Sequence, residues 1–233
     1  MITKKSQRVF QVWAPILILL VVTKLFSSTS SIPLRQLMLD PTEVMDVPFY
    51  TGIMANLGIL LWAAAASICL FIAIFLPQLV GKTWKDFFLV FGLLTFLLLL
   101  DDWLRIHDEI FPVYFGIKGD VIGIGYFLLT LLCLFRYRQL ILRYPYTFLL
   151  MALGFFAVSV AIDVAPPVLK HRFSVADVLF FEDSAKLLGI ANWLAYFAYL
   201  SAAILGKVNL ASSKSPVSNQ TQETTSGWMG KVA

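Results

Sequence analysis

Six long runs of apolar residues alternate with short polar segments along this chain. The runs lie near residues 10–26, 52–77, 86–106, 120–136, 146–163 and 186–206. About 20 helical residues cross a bilayer core of about 30 Å, and lipid tolerates only helices or closed barrels. Because the runs are continuous rather than alternating, they predict an all-α, polytopic transmembrane helix bundle with six spans.

The composition supports a membrane location and leaves little room for anything else. Of the 233 residues, 59% are hydrophobic and 14% are charged, whereas a soluble domain has roughly 25% charged residues. Six spans with short connections use most of the chain, which excludes a large soluble catalytic or nucleic-acid-binding domain. We therefore expect the lipid bilayer as a partner and no nucleic acid.

The charged residues predict the orientation of the bundle. With six spans, one side carries eleven Lys and Arg residues against two acids, and the other carries seven against twelve. The excess of Lys and Arg marks the cytoplasmic side, so both termini are predicted to be cytoplasmic. We divide the chain into a transmembrane domain, residues 1–211, and a disordered cytoplasmic tail rich in Ser, Thr and Gln, residues 212–233. The first span is read as an uncleaved anchor, with a cleaved signal peptide as the alternative.

The most informative segment joins a fully apolar helix directly to a run of ionisable residues at 101–109. On a regular helix with about 100° per residue, its four acids and Arg105 share one third of the circumference, whereas His107 points away from them. We therefore expect Arg105 to bridge several carboxylates. Ionisable groups close to a membrane usually face the bundle or a wet cavity.

Other ionisable residues lie near the same outer ends of the helices. In one bundle they would complete an outward-facing charged pocket. The candidate pocket consists of Asp101, Asp102, Arg105, Asp108, Glu109, Asp163, Glu182, Asp183 and Lys186.

Three interpretations of this pocket stay open. It is a structural ion network, a site that handles cations or protons, or a site at which a divalent metal activates water. Metal ligands on one helix need a spacing of three or four residues, which His107 does not have relative to the acids. The candidate ligands are nevertheless Asp101, Asp102, His107 and Glu182, a set that suits Mg, Mn or Fe. No other cofactor is predicted.

The motifs D-D-x4-H-D-E at 101–109 and E-D-x2-K-x-L-G at 182–189, with Ser159-x3-Asp163, resemble a group of uncharacterised multi-pass bacterial membrane proteins that includes cyanobacterial ones. The resemblance implies a bacterial inner (plasma) membrane, or a thylakoid membrane in a cyanobacterium, and implies no reaction. There is also a remote likeness to the alkaline ceramidase-like membrane hydrolases, which use Ser, Asp and three His around zinc. This chain departs from them because it has two histidines and no H-x-x-x-H.

These observations lead to one functional hypothesis and two alternatives. The first is an integral membrane protein with a binding or assembly role, whose partner is a membrane protein or a lipid-like ligand. The alternatives are a metal-dependent hydrolase of a lipid-like substrate and a small ion- or proton-coupled carrier. Whether the chain is an enzyme is left open.

Overall fold

A computed structural model of the protein describes residues 4–39, 41–164 and 174–213, and contains helices and no strand within them. The helices are α1 Lys4–Thr29, α2 Leu34–Met38, α3 Pro41–Met45, α4 Ile53–Phe75, α5 Pro77–Val80, α6 Lys82–Leu104, a π-helix Ile106–Phe115, α7 Gly119–Arg136, α8 Arg138–Ile141, α9 Thr147–Asp163 and α10 Val175–Ser213. The predicted all-α class is confirmed for these residues. The predicted disordered tail lies outside them from residue 214 onward, and its first two positions end α10.

The chain divides into two compact units, Met1–Ile53 and Met54–Ala233. The first unit contains the apolar helix α1 and the two short helices α2 and α3. From Trp13 to Phe26, α1 exposes nearly all of its described large apolar side chains within the chain. Such a helix is stable in lipid, where apolar side chains need no protein neighbour.

The second unit contains the helices that are long and apolar enough to cross a membrane. They are α4, α6, α7 and the part of α10 from Val175 to Lys207. The fifth predicted span forms α9, a shorter apolar helix, and the first predicted span lies within α1, whose apolar part Ile16–Thr29 is also short. Each predicted apolar run therefore forms a helix over most of its length, and four of the described helices meet the length and composition expected of a membrane span.

Small residues let the helices of the second unit approach one another closely. A Cβ on Gly92 of α6 would lie 2.8 Å from Leu70 of α4, and a Cβ on Gly189 of α10 would lie 2.6 Å from the Phe156 ring of α9. Close approach through small residues drives helix association in lipid, because burial of apolar area supplies little there.

Aromatic rings fill the space between these helices. Trp193 of α10 packs against Trp62 and Phe91, and its indole N–H donates a 3.0 Å hydrogen bond to Thr95 of α6. The Thr95 hydroxyl donates in turn to the Phe91 carbonyl oxygen at 2.7 Å. The buried polar groups of Thr95 and Trp193 are thus satisfied within the protein, as an apolar interior requires.

Two polar ends bound the apolar part of this unit. Trp84, Tyr144 and Lys207 meet at one end, where the Lys207 ammonium lies 4.3 Å from the centre of the Tyr144 ring. At the other end, the Lys186 ammonium pairs with Asp102. Eighteen residues separate Trp84 from Asp102 along α6, which is about 27 Å of helix. This distance is close to the roughly 30 Å of a bilayer core.

We expect Gly189→Ala to destabilise the protein by about 1–3 kcal/mol, because the new methyl group must displace the Phe156 ring in a tightly packed interface. Thermal unfolding of the purified protein in detergent measures the effect. Gly154→Ala is the matched control, because a Cβ there meets no atom within 4 Å. Equal unfolding temperatures for the two variants would contradict the packing described here.

Candidate functional site

The charged segment does not continue α6 as a regular helix. α6 ends at Leu104, and Arg105 adopts the left-handed conformation with φ 51° and ψ 46°. The π-helix follows from Ile106 to Phe115 and is capped by Gly116, which is also left-handed. The prediction that His107 points away from the acids is therefore wrong, because it assumed one regular helix through this segment.

Asp101 lies in the last turn of α6, just before this break, and is 4% exposed. Its Oδ1 accepts hydrogen bonds from the His107 backbone N–H and the Tyr126 hydroxyl, both at 3.0 Å. Its Oδ2 lies 2.5 Å from His107 Nδ1. One carboxylate thus joins the end of α6 to the first turn of the π-helix and to α7. A carboxylate at the start of a helix also satisfies backbone N–H groups that lack an intrahelical partner.

Asp102 makes a second set of contacts toward the other side of the bundle. Its Oδ1 accepts a 2.6 Å hydrogen bond from the Lys186 ammonium of α10, and its Oδ2 accepts one of 2.8 Å from the Trp62 indole N–H of α4. We call Asp101, Asp102, His107, Tyr126, Trp62 and Lys186 the polar cluster. It connects four helices and the π-helix at one end of the second unit.

Both ring nitrogens of His107 face carboxylate oxygens. Nδ1 meets Asp101, and Nε2 lies 3.2 Å from Oδ1 of Asp108. The hydrogen bond to Asp101 raises the pKa of His107 above its usual value; partial burial and Lys186 act in the opposite direction, and the charges of Asp101 and Asp108 add to the increase. A protonated His107 and Lys186 would together balance the charges of the buried Asp101 and the partly buried Asp102.

Arg105 bridges two of the four acids, Asp108 and Glu109, and does not reach Asp101 or Asp102. Its guanidinium lies 2.5 Å from Glu109 and 4.0 Å from Asp108, and its side chain is 60% exposed. Because the backbone turns at Arg105, the Arg105 side chain contacts the acids of the π-helix. Asp101 instead binds His107, and Asp102 binds Lys186. An exposed pair of this kind contributes at most about 1 kcal/mol to stability.

The remaining predicted pocket residues lie on α9 and α10. Asp163 is the exposed last residue of α9, and Glu182 and Asp183 lie about one turn before Lys186 on α10. Over the described part of the chain, no group of three or more His, Cys, Asp and Glu side chains is placed to hold a metal ion. The four candidate ligands named from the sequence thus do not form such a group.

Three residues of the site were not predicted as functional. Trp62 and Tyr126 are the donors that complete the hydrogen bonding of Asp102 and Asp101. Gly119 begins α7 against the π-helix, where a Cβ would lie 2.7 Å from the His107 carbonyl oxygen. Tyr126 could have been recognised from the sequence, because it lies inside the apolar run of α7 and a polar group within a span normally has a hydrogen-bond partner.

Comparison with known proteins places this architecture in a family. A family model described as a domain of unknown function, DUF8692, matches residues 13–200. The chain belongs to the DUF8692 family. No curated protein and no solved structure matches it. The match of this DUF8692 chain covers the described helices from α1 to most of α10, including every residue of the polar cluster.

We expect the stability of this DUF8692 chain to depend on pH through His107. Its pKa is raised in the folded state, so the stabilisation is complete below the unfolded value of about 6.5 and is lost as pH rises through the folded pKa. Unfolding temperatures of the native chain and of His107→Gln should differ most at acidic pH and converge at alkaline pH. Parallel pH profiles for the two proteins would contradict this assignment.

We also expect Lys186→Met to destabilise the protein by about 1–3 kcal/mol, because Asp102 loses its cationic partner. The value is below that of a fully buried pair, because the Lys186 side chain is 41% exposed. Arg105→Gln is the control, since it removes the exposed pair with Glu109 and should cost less than about 0.5 kcal/mol. Denaturation in mild detergent compares the two, and a larger loss for Arg105→Gln would overturn this order.

Proposed function

We propose that this chain is a six-span protein of a bacterial inner membrane, or of a thylakoid membrane in a cyanobacterium, with both termini cytoplasmic and a binding or assembly role. The apolar helices and the excess of basic residues on one side support this proposal. In it, the outer end carries the polar cluster, which holds the π-helix in position as a binding surface for another membrane protein.

The observation that carries the proposal is the complete pairing of the Asp101 and Asp102 carboxylates. Both oxygens of Asp101 and both oxygens of Asp102 are engaged by donors of this chain. Carboxylates used in this way hold elements together, whereas a ligand or substrate would have to displace their present donors at considerable cost. The polar cluster therefore fits a positioning role better than a reactive one.

The π-helix offers the surface that such positioning would serve. Val113, Tyr114 and Phe115 are consecutive and exposed, with Tyr114 at 78%. They follow the end of α6, and the acids Asp108 and Glu109 precede them on the same helix. Exposed apolar surface rimmed by polar residues is typical of protein interaction sites, and aromatic residues are enriched in them.

The two alternatives receive less support. A metal-dependent hydrolase acting on a lipid-like substrate needs a divalent-metal site, whereas Asp101 and Asp102 are already engaged by hydrogen-bond donors of this chain. A proton- or ion-coupled carrier needs polar groups along a path between the two membrane faces, whereas the polar cluster lies at one end of α6. We therefore rank both alternatives below the binding role.

Site-specific photo-cross-linking in native membranes tests the proposal. With a benzophenone side chain at position 114, we expect a discrete protein adduct, because the partner packs against the π-helix. The same side chain at position 127 is the control, since Phe127 is an exposed residue of α7 within the apolar span. Asp101→Asn should weaken the adduct at position 114 by releasing the π-helix. Lipid adducts alone at both positions would refute the proposed role.

A further inference from the structure

The end of the second unit opposite the polar cluster carries a different arrangement of charge. An open cavity of about 290 Å³ lies where α7 meets α8, lined by Phe135, Arg136, Arg138 and Gln139. We propose that this cavity binds the phosphate group of an anionic phospholipid. Its volume is at the lower end of the roughly 300–1,000 Å³ of small-ligand sites.

The two guanidinium groups are held in place by aromatic rings. The Arg138 guanidinium lies 4.3 Å from the centre of the Phe135 ring, and that of Arg136 lies 5.2 Å from the centre of the Tyr137 ring. Stacking on a ring face leaves the N–H groups at the edge of the guanidinium free to donate. Planar donors of this kind match the oxygens of a phosphate group.

Neither arginine forms an ion pair with a carboxylate within the described ranges. The Gln139 amide adds a further donor at the rim of the cavity. If Arg136 and Arg138 were already paired with carboxylates, they would gain little from an anion. Because they are stacked on rings and unpaired, binding an anion is favourable.

The position of the cavity selects a lipid as the source of the phosphate. Tyr137 packs against Phe87 of α6, one turn from Trp84, which packs against Tyr144 at the same end of the unit. Trp and Tyr residues at the ends of spans mark the headgroup level. Phe135 is exposed beside the arginines, where it can contact an acyl chain.

Native mass spectrometry of the detergent-purified full chain tests the proposal. The probes are phosphatidylglycerol, phosphatidylcholine with the same acyl chains, and soluble glycerol phosphate. We expect retention of phosphatidylglycerol by the native chain, and roughly tenfold or greater weakening in Arg136→Gln/Arg138→Gln, since each basic residue near a membrane surface adds about a factor of five. Arg138→Lys keeps the charge and should still weaken binding, because it loses the stacked planar donor.

Lys82→Gln/Lys85→Gln is the matched control, because it removes two positive charges from the start of α6 without touching the cavity. The control should retain phosphatidylglycerol as the native chain does. Equal loss in both double variants, or equal binding of phosphatidylcholine, would overturn the proposal. Binding of glycerol phosphate without phosphatidylglycerol would also overturn it, because the phosphate would then come from a soluble compound.

Discussion

The Asp101 carboxylate is the constraint on which this end of the protein depends. It is buried where α6 stops, and a buried carboxylate is costly unless its oxygens are hydrogen-bonded. Its donors come from the backbone and side chain of His107 and from Tyr126. The His107 backbone N–H reaches Asp101 across a turn at Arg105, which takes a left-handed conformation that costs a residue with a Cβ about 1–2 kcal/mol. The π-helix, with its exposed residue Tyr114, begins directly after that turn.

The concentration of charged contacts at the ends of the helices is what a membrane location requires. Between the two ends, association relies on close approach at Gly92 and Gly189 and on ring packing around Trp193. Neither needs a charge, and an unpaired charge there would be expensive. At the level of Asp102, the helices reach a more polar environment, where Lys186 can pair with the carboxylate while part of its side chain stays exposed. The polar cluster therefore fixes the relative positions of helices that apolar contacts alone would specify less strictly.

Much of the fold could be predicted from the sequence, because its six apolar runs are long and continuous. The ionisable residues near α6 and α10 could also be recognised as a candidate site, because they interrupt these apolar runs. The geometry of the site could not be predicted from helical angles. No glycine or proline lies between Leu97 and Phe111 to indicate a break in the helix. The turn at Arg105 is instead stabilised by contacts that are distant in sequence, such as the hydrogen bond from Tyr126 to Asp101. Because the helix breaks at Arg105, the positions of His107 and Asp108 cannot be calculated from the rotation per residue of one regular helix.

The two ends of the second unit use charge in opposite ways. At the polar cluster, Asp101 and Asp102 are matched by His107 and Lys186, so a charged ligand would have to separate existing pairs and pay their desolvation again. At the junction of α7 and α8, Arg136 and Arg138 rest on aromatic rings, and no described carboxylate pairs with them. An anion arriving there displaces only water. Our two proposals therefore assign anion recognition to the arginine end and protein recognition to the π-helix, whose exposed rings could bind without breaking the contacts that hold it.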